Sequence, residues 1–277
     1  MTWGVWGMDM DRLTMARHIE GCVERGVDAF DHADIYGDYT TESSFGEAFA
    51  ETKLAREDVW WVSKCGIQYP NAKNSASVKH YNYSPEHIRM SVENSLRNLQ
   101  TDYLDLLLLH RPSPLMEPDS IVDTLMILRE EGKINGWGVS NFTPSQMSLF
   151  PSHERPSWNQ LECSVTHTTP LADGTLDFMK VNQIGAMAWA PLGSYFKQQD
   201  AQHERLRPVL SRLSEKLGLT SAQLILTWLV RHPSSIVPVV GTTDLSRLSD
   251  LKAAVSLHME REDWFAMTEA SWGHRVP

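Results

Sequence analysis

Apolar positions along this chain alternate between two spacings. Arg12–Glu24 carries Leu13, Ala16, Ile19 and Val23 at helical intervals and stops at Gly26. Thr40–Glu51 reads as a second, shorter helix. Ser84-Pro85-Glu86 has the features of a helix start: a hydroxyl N-cap, proline at the first position and an acid in the first turn. That helix runs to about Gln100. Ser120–Glu131 follows, and Thr143-Pro144 opens another helix by the same device. Thr175–Val181, Pro208–Leu217, Ser221–Arg231, Leu245–Val255 and Arg261–Ser271 complete the helical set, the last of them extra to the alternation. Between the helices stand short apolar runs suited to strands: Met1–Val5, Val27–Asp31, Val59–Lys64, Leu104–His110, Trp137–Asn141, Trp158–Gln160, Ala186–Trp189 and Ile236–Thr243.

Strands alternating with helices imply right-handed βαβ units and a parallel sheet. No Gly-x-Gly-x-x-Gly follows a strand, so an open dinucleotide-binding sheet has no fingerprint here. Six of the eight runs end on polar residues: Asp31, Lys64, His110, Asn141, Gln160 and Thr243. In a parallel barrel all strand ends of one polarity meet at one rim. The reading is therefore α/β, a (β/α)8 TIM barrel, with residues 1–277 as one domain. Two long segments, Gly66–Tyr83 and Pro191–Glu204, are expected to be loops over that rim.

Composition narrows the choice. The chain has 277 residues, 42% hydrophobic and 22% charged, within the range of a globular protein. Its formal net charge of −10 and the lack of a basic block argue against nucleic acid, whose binding begins with phosphate neutralisation. Cys22, Cys65 and Cys163 form no Cys-x-x-Cys, so neither a disulfide framework nor a zinc site is indicated. No basic leader precedes an apolar run, and no stretch reaches the roughly 18 apolar residues of a membrane span. The expected location is the cytoplasm.

The strand-end residues carry the chemistry. Asp31, Tyr36, Lys64 and His110 would form a proton-donating site on convergence. A phenol titrates near 10 and is a weak acid at neutrality, and an adjacent ammonium eases its ionisation. A carboxylate behind that lysine keeps it charged, and Asp31 on the adjacent strand suits the part. His110 can hold a carbonyl oxygen by a hydrogen bond. A polarised carbonyl beside an acid is ready for hydride attack, and a nicotinamide would have to supply the hydride. Taken singly, each residue has an ordinary structural explanation: a capping aspartate, a packing tyrosine, a surface lysine, a structural histidine. Their joint placement favours chemistry. Metal binding is disfavoured because the 11 histidines are scattered, and Asp31-His32-x-Asp34 would point to opposite faces of a strand. Lys64 at a strand end also fits a Schiff-base lyase, although a neighbouring Asp31 would keep its amine protonated.

These segments resemble the aldo-keto reductase superfamily: Phe30-Asp31-His-Ala-Asp-Ile-Tyr36-Gly, Val-Ser-Lys64, Asp-Tyr-Leu-Asp-Leu-Leu-Leu-Leu-His110, Trp-Gly-Val-Ser140-Asn141, Trp-Asn-Gln160, Ala-Trp189-Ala-Pro-Leu-Gly and Pro-Val-Val-Gly241-Thr-Thr. The likeness covers nearly the whole chain in order. It implies a (β/α)8 barrel that uses NADPH, with NADH not excluded, to reduce a small-molecule aldehyde or ketone. Tyr36 would donate the proton, Lys64 and Asp31 would tune it, and His110 would orient the carbonyl. Ser140, Asn141 and Gln160 match the carboxamide-binding positions, and Trp189 matches the aromatic stacked on the nicotinamide. Leu192 and Ser194 would line the pyrophosphate path, and Gly241, Thr242, Thr243 and Arg247 stand where members hold the adenosine 2′-phosphate. Trp3, Trp6, Cys65 and Arg111 are candidate walls of a substrate pocket.

The chain departs from the family pattern in three ways. The sequence is expected to begin at or inside the first barrel strand, without the hairpin that usually precedes it and closes the barrel floor; a basic residue near the 2′-phosphate corresponds to Gly241, and an asparagine near adenine corresponds to Leu251. The last two weaken the preference for NADPH over NADH. Some relatives act as auxiliary subunits, so a cofactor-bound regulatory protein is a further alternative.

Overall fold

The structure is a computed structural model, and it describes residues 3–71 and 75–277. The chain groups into two compact units, Met1–Asn159 with Gly241–Leu245, and Gln160–Val240 with Ser246–Pro277.

In the first unit α1 (Arg12–Glu24) is followed by β1 (Ala29–Asp31), a tight turn α2 (Tyr36–Tyr39) and α3 (Thr41–Phe49). Then come β2 (Trp60–Cys65), β3 (Ile67–Gln68), β4 (His80–Tyr81), α4 (Pro85–Leu99), β5 (Leu106–Leu109), α5 (Pro118–Glu130), β6 (Trp137–Ser140) and α6 (Pro144–Met147). The strand order is β1-β2-β5-β6, and the pairs are parallel. β5 is Leu-Leu-Leu-Leu with all four residues buried, as a strand covered on both faces requires. Helix starts follow the local chemistry: the Asp11 carboxylate accepts from Thr14 N, and Ser84 Oγ accepts from His87 N ahead of Pro85. The lower ends of β2 and β5 are tied by Arg56. Its guanidinium donates to the carbonyls of Val59 and Tyr103 and to Asp105 Oδ2 (2.7 Å), and it lies 4.1 Å from the centroids of both Trp61 and Tyr103.

In the second unit β7 (Trp158–Glu162), β8 (Gly185–Trp189) and β9 (Val237–Val239) are neighbours in that order, with β8 and β9 parallel. α7 (Thr169–Ala172), α8 (Thr175–Val181), α9 (Ala201–Leu217), α10 (Ser221–Val230), α11 (Leu245–Ala254) and α12 (Arg261–Trp272) accompany them. Trp228 of α10 stacks on Trp264 of α12 at 5.4 Å and donates its Nε1–H to Thr268 Oγ1. Thus the extra C-terminal helix is bound to its unit by packed indoles.

Three expectations change. Of Met1–Val5, Met1 and Thr2 lie outside the described residues, and the rest is not a strand. Gly7 N and Asp9 N both donate to Gly4 O, and Met10 N donates to Trp3 O, so glycine-rich residues 3–10 close into a turn. The expected helix Pro208–Leu217 starts earlier, at Ala201, because Asp200 caps it by accepting from Gln202 N and His203 N, and Pro208 sits inside the helix. The expected loop Gly66–Tyr83 opens and closes as an antiparallel ribbon, with Ile67 paired to Tyr81 and Gln68 to His80.

Candidate active site

Four of the expected groups lie together in the first unit. Asp31 ends β1 and Lys64 is the next-to-last residue of β2, its parallel neighbour. Past Asp31 the backbone keeps following β2, with His32 N donating to Val62 O and Asp34 N to Lys64 O. That run delivers Tyr36 to the turn above Lys64. Lys64 Nζ donates to both carboxylate oxygens of Asp31 (2.8 Å each), to the carbonyl of His32 (2.7 Å) and to the hydroxyl of Tyr36 (3.2 Å). The side chain of Lys64 is only 1% exposed. Burial alone would depress its pKa, but the charge of Asp31, reinforced by Tyr36, outweighs burial and holds it above the ordinary lysine value. Lys64 is therefore a fixed ammonium whose N–H groups are all engaged.

His110 lies one residue beyond β5, and its N–H continues the ladder to Cys65 O (3.0 Å). Its ring meets that of Tyr36 edge-on, with centroids 5.9 Å apart. Burial, then the nearby charges of Lys64 and Arg111, push its pKa well below the usual histidine value. The imidazole is neutral at physiological pH and carries one N–H donor.

The turn that carries Tyr36 is itself clamped. Gly37, Asp38 and Tyr39 all have positive φ, at 60, 54 and 65°. Thr40 Oγ1 donates to Gly37 O, Tyr69, the residue after β3, donates to Asp38 Oδ1 (2.6 Å), and the rings of Tyr39 and Tyr69 stack at 5.8 Å. Ala33, Ile35 and Ile67 form the apolar seat under this turn. None of these partners was readable from periodicity. The hint available was Gly37 directly after Tyr36.

The candidate pocket walls divide. Trp3 is 6% exposed and packs against His18 (4.6 Å), Phe30 (5.9 Å) and Phe45 (6.3 Å). The turn through Gly4 and Gly7 directs Trp3 inward and leaves Trp6 outside, 50% exposed and 6.3 Å from the ring of Tyr36. Cys65 is buried, and burial raises its thiol pKa well above the ordinary value. Arg111 is bound at its backbone by Tyr83, whose hydroxyl donates to Arg111 O and accepts from Arg111 N.

Beneath the site lies a second layer of buried polar groups. Glu42 of α3 accepts from Ser63 Oγ at 2.5 Å, and burial raises its pKa. Burial, then the charge of Glu42, raises that of Asp34. His32 is wholly buried against Phe45 (4.4 Å), with no hydrogen bond to either ring nitrogen among the described residues.

The remaining expected positions are as follows. Ser140 ends β6 and is buried, and Asn141 beyond it has φ 62° and donates from Nδ2 to Ser140 Oγ (2.8 Å). Thr242 Oγ1 accepts from Asp244 N, Thr243 is partly buried and Gly241 is exposed. In the second unit Gln160 of β7 is buried, its Nε2 3.8 Å from Met187 Sδ, and Trp189 ends β8 partly buried. Leu192 packs on a cluster of Leu226, Leu251 and Ala254, so Leu251 is a core residue of α11. Gly193 has φ 57°, and a Cβ there would lie 2.0 Å from Thr166 Oγ1, so the loop reaches its seat only with glycine. Ser194 N donates to Thr166 Oγ1, and the Ser194 hydroxyl lies 3.1 Å from His203 Nε2, whose Nδ1 meets Asp200 Oδ1 at 2.7 Å. Arg247 is exposed on α11.

A carboxylate-held ammonium touching a phenol hydroxyl, with a neutral imidazole edge-on to that phenol, is equipped to give a proton to an oxygen. Comparison with known proteins gives the class. Residues 1–271 match the Aldo/keto reductase family, and the chain belongs to that family of oxidoreductases. It is 38% identical to oxidoreductase YdhF of Escherichia coli, over 99% of this chain and 93% of the relative. To a 6-dehydroglucose reductase of Agrobacterium fabrum it is 36% identical, over 100% of this chain and 95% of the relative. Its fold is similar to that of an aldo-keto reductase from Klebsiella pneumoniae in complex with NADPH, with a TM-score of 0.77, 24% identity, and coverage of 96% of this chain and 86% of the other. The fold is thus the TIM barrel of these reductases.

Proposed function

We propose that this protein reduces the carbonyl group of a small aldehyde or ketone with NADPH, and that Tyr36 is the proton donor. The observation that carries the reading is the contact of Lys64 Nζ with Tyr36 OH at 3.2 Å, backed by both oxygens of Asp31. His110, neutral, donates its N–H to the carbonyl oxygen and holds it at the phenol. Tyr36 gives its proton to that oxygen as negative charge develops there. The Lys64 ammonium stabilises the phenolate left behind, and Asp31 keeps the ammonium charged. The engaged ammonium argues against the Schiff-base alternative, which needs a free amine.

The chain's groups suit a nicotinamide cofactor, which when bound supplies the hydride. The first unit offers Ser140 and Asn141, already hydrogen-bonded side by side, for a carboxamide, and Gly241, Thr242 and Thr243 for a phosphate-bearing end. The second offers Gln160 for the carboxamide, the flat indole of Trp189 for the ring, Leu192 and Ser194 for the phosphates, and the fork of Arg247 for a 2′-phosphate. Binding of NADPH and of NADH, followed by turnover on an aldehyde panel that includes oxidised sugars, tests the reading. Tyr36→Phe should lower turnover by about 100-fold or more and leave NADPH affinity unchanged. Near-normal turnover in that variant would overturn the assignment.

A further inference from the structure

Tyr83 is not one of the four groups above, yet it holds the chain beyond the ends of both strands that bring Lys64 and His110 together. It follows β4 and stands directly before Ser84, the cap of α4. Its side chain is buried, at 7% exposure. The hydroxyl donates to Arg111 O at 2.6 Å and accepts from Arg111 N at 3.0 Å, so both of its hydrogen-bonding roles serve the peptide units next to His110. Its ring lies flush on Gly66, the residue after β2. Gly66 has φ 109°, and a Cβ there would come within 2.1 Å of Tyr83 Cε1. The adjacent Asn82 N donates to Gly66 O at 2.8 Å, which fastens the ribbon to the same point. Burial raises the pKa of the Tyr83 phenol well above its ordinary value, so the hydroxyl keeps its proton and remains both donor and acceptor.

His110 depends on such a support. Among the described residues no group hydrogen-bonds its Nδ1, the contact that commonly fixes the ring of a functional histidine. Its position follows from its backbone and from packing. Its own N–H is held by Cys65 O at 3.0 Å, and the next residue is held by Tyr83. Resting on the function proposed above, we infer that Tyr83 is a positioning residue. It bridges the ends of β2 and β5 and thereby sets where the His110 imidazole stands relative to Lys64 and Tyr36, without touching the substrate itself. Tyr83, two residues past β4 and just before the cap of α4, thereby fixes the spacing of the site.

The test is a double-mutant cycle on kcat/KM for an aldehyde, since a residue that acts through another shows coupling to it. Tyr83→Phe keeps the ring on Gly66 and removes both hydroxyl bonds. Alone it should lower kcat/KM roughly 10- to 100-fold, the scale of a small misplacement of a functional group, with NADPH affinity unchanged. In a His110→Ala background the same substitution should cost nothing further. Gly66→Ala, which displaces the ring from the β2 side, forms a second cycle with the same expected pattern and serves if Tyr83→Phe does not fold. An equal loss in both backgrounds would mean a general structural role and would overturn the inference, as would an undiminished rate in Tyr83→Phe alone. No effect of His110→Ala by itself would instead overturn the role of His110 and the functional reading beneath it.

Discussion

Replacing Asp31 with asparagine keeps the shape of the site and removes one charge. Lys64 is 1% exposed and Asp31 18% exposed, so the pair is screened little by water. Both carboxylate oxygens accept from Lys64 at 2.8 Å. In Asp31→Asn one of those acceptors becomes an amide N–H facing an ammonium. Removing one partner of a buried pair costs about 3–5 kcal/mol, and the partial exposure of Asp31 points to the lower end, ~3 kcal/mol. For a chain of this size that corresponds to a fall in melting temperature of roughly 6–12 °C.

The pH dependence gives the discriminating signature. In the native protein the folded pKa of Lys64 is raised above its unfolded value of 10.5. Its contribution is therefore fully present below 10.5 and is lost as pH rises through the folded pKa. In the variant burial acts unopposed by Asp31, and the folded pKa falls. Lys64 then opposes folding at neutral pH and ceases to do so as it deprotonates. The difference in stability between the two proteins should be largest at pH 7 and should shrink toward pH 10. Urea denaturation at both values, followed by circular dichroism, measures it. A difference below about 0.5 kcal/mol at pH 7, or one of equal size at both pH values, would refute the claim that Asp31 holds the charge of Lys64.

Two further outcomes are expected. His32 is fully buried, its ring nitrogens have no hydrogen-bond partner among the described residues, and burial pushes its pKa well below 6.5, so native stability should fall as pH drops below about 6.5 and the unfolded chain takes up the proton. His32→Leu should show a smaller loss between pH 6.5 and 5 in urea midpoints, and an unchanged loss would remove His32 as the cause. Ser84→Ala removes the acceptor for His87 N at the start of α4 and should lower stability by about 1 kcal/mol, read from the same denaturation curves, while leaving aldehyde kinetics of the folded enzyme intact.

The order of elements was largely legible along the chain, because it rests on local physics. Arg12–Glu24 and Thr175–Val181 were readable to the residue from apolar spacing and stop signals, and the strand that ends at Asp31 announced itself by β-branched and aromatic residues between polar boundaries. Where local signals competed, the reading slipped. Pro208 resembled a helix start, but the cap at Asp200 had already begun the helix, and the glycines at 4 and 7 turned an apparent first strand into a loop.

Sequence by itself determined which chemical groups this protein has at its strand ends and that they recur after most of the apolar runs, since strand periodicity and side-chain chemistry are properties of short segments. Only the tertiary structure decided distances and protonation. The register of β1 on β2 brings Asp31 to Lys64, and burial competing with a carboxylate decides that the lysine stays charged. The inward turn of Trp3 and the bridge from Tyr83 to Arg111 join residues far apart in the chain, and no local pattern encodes which distant surface a side chain will meet.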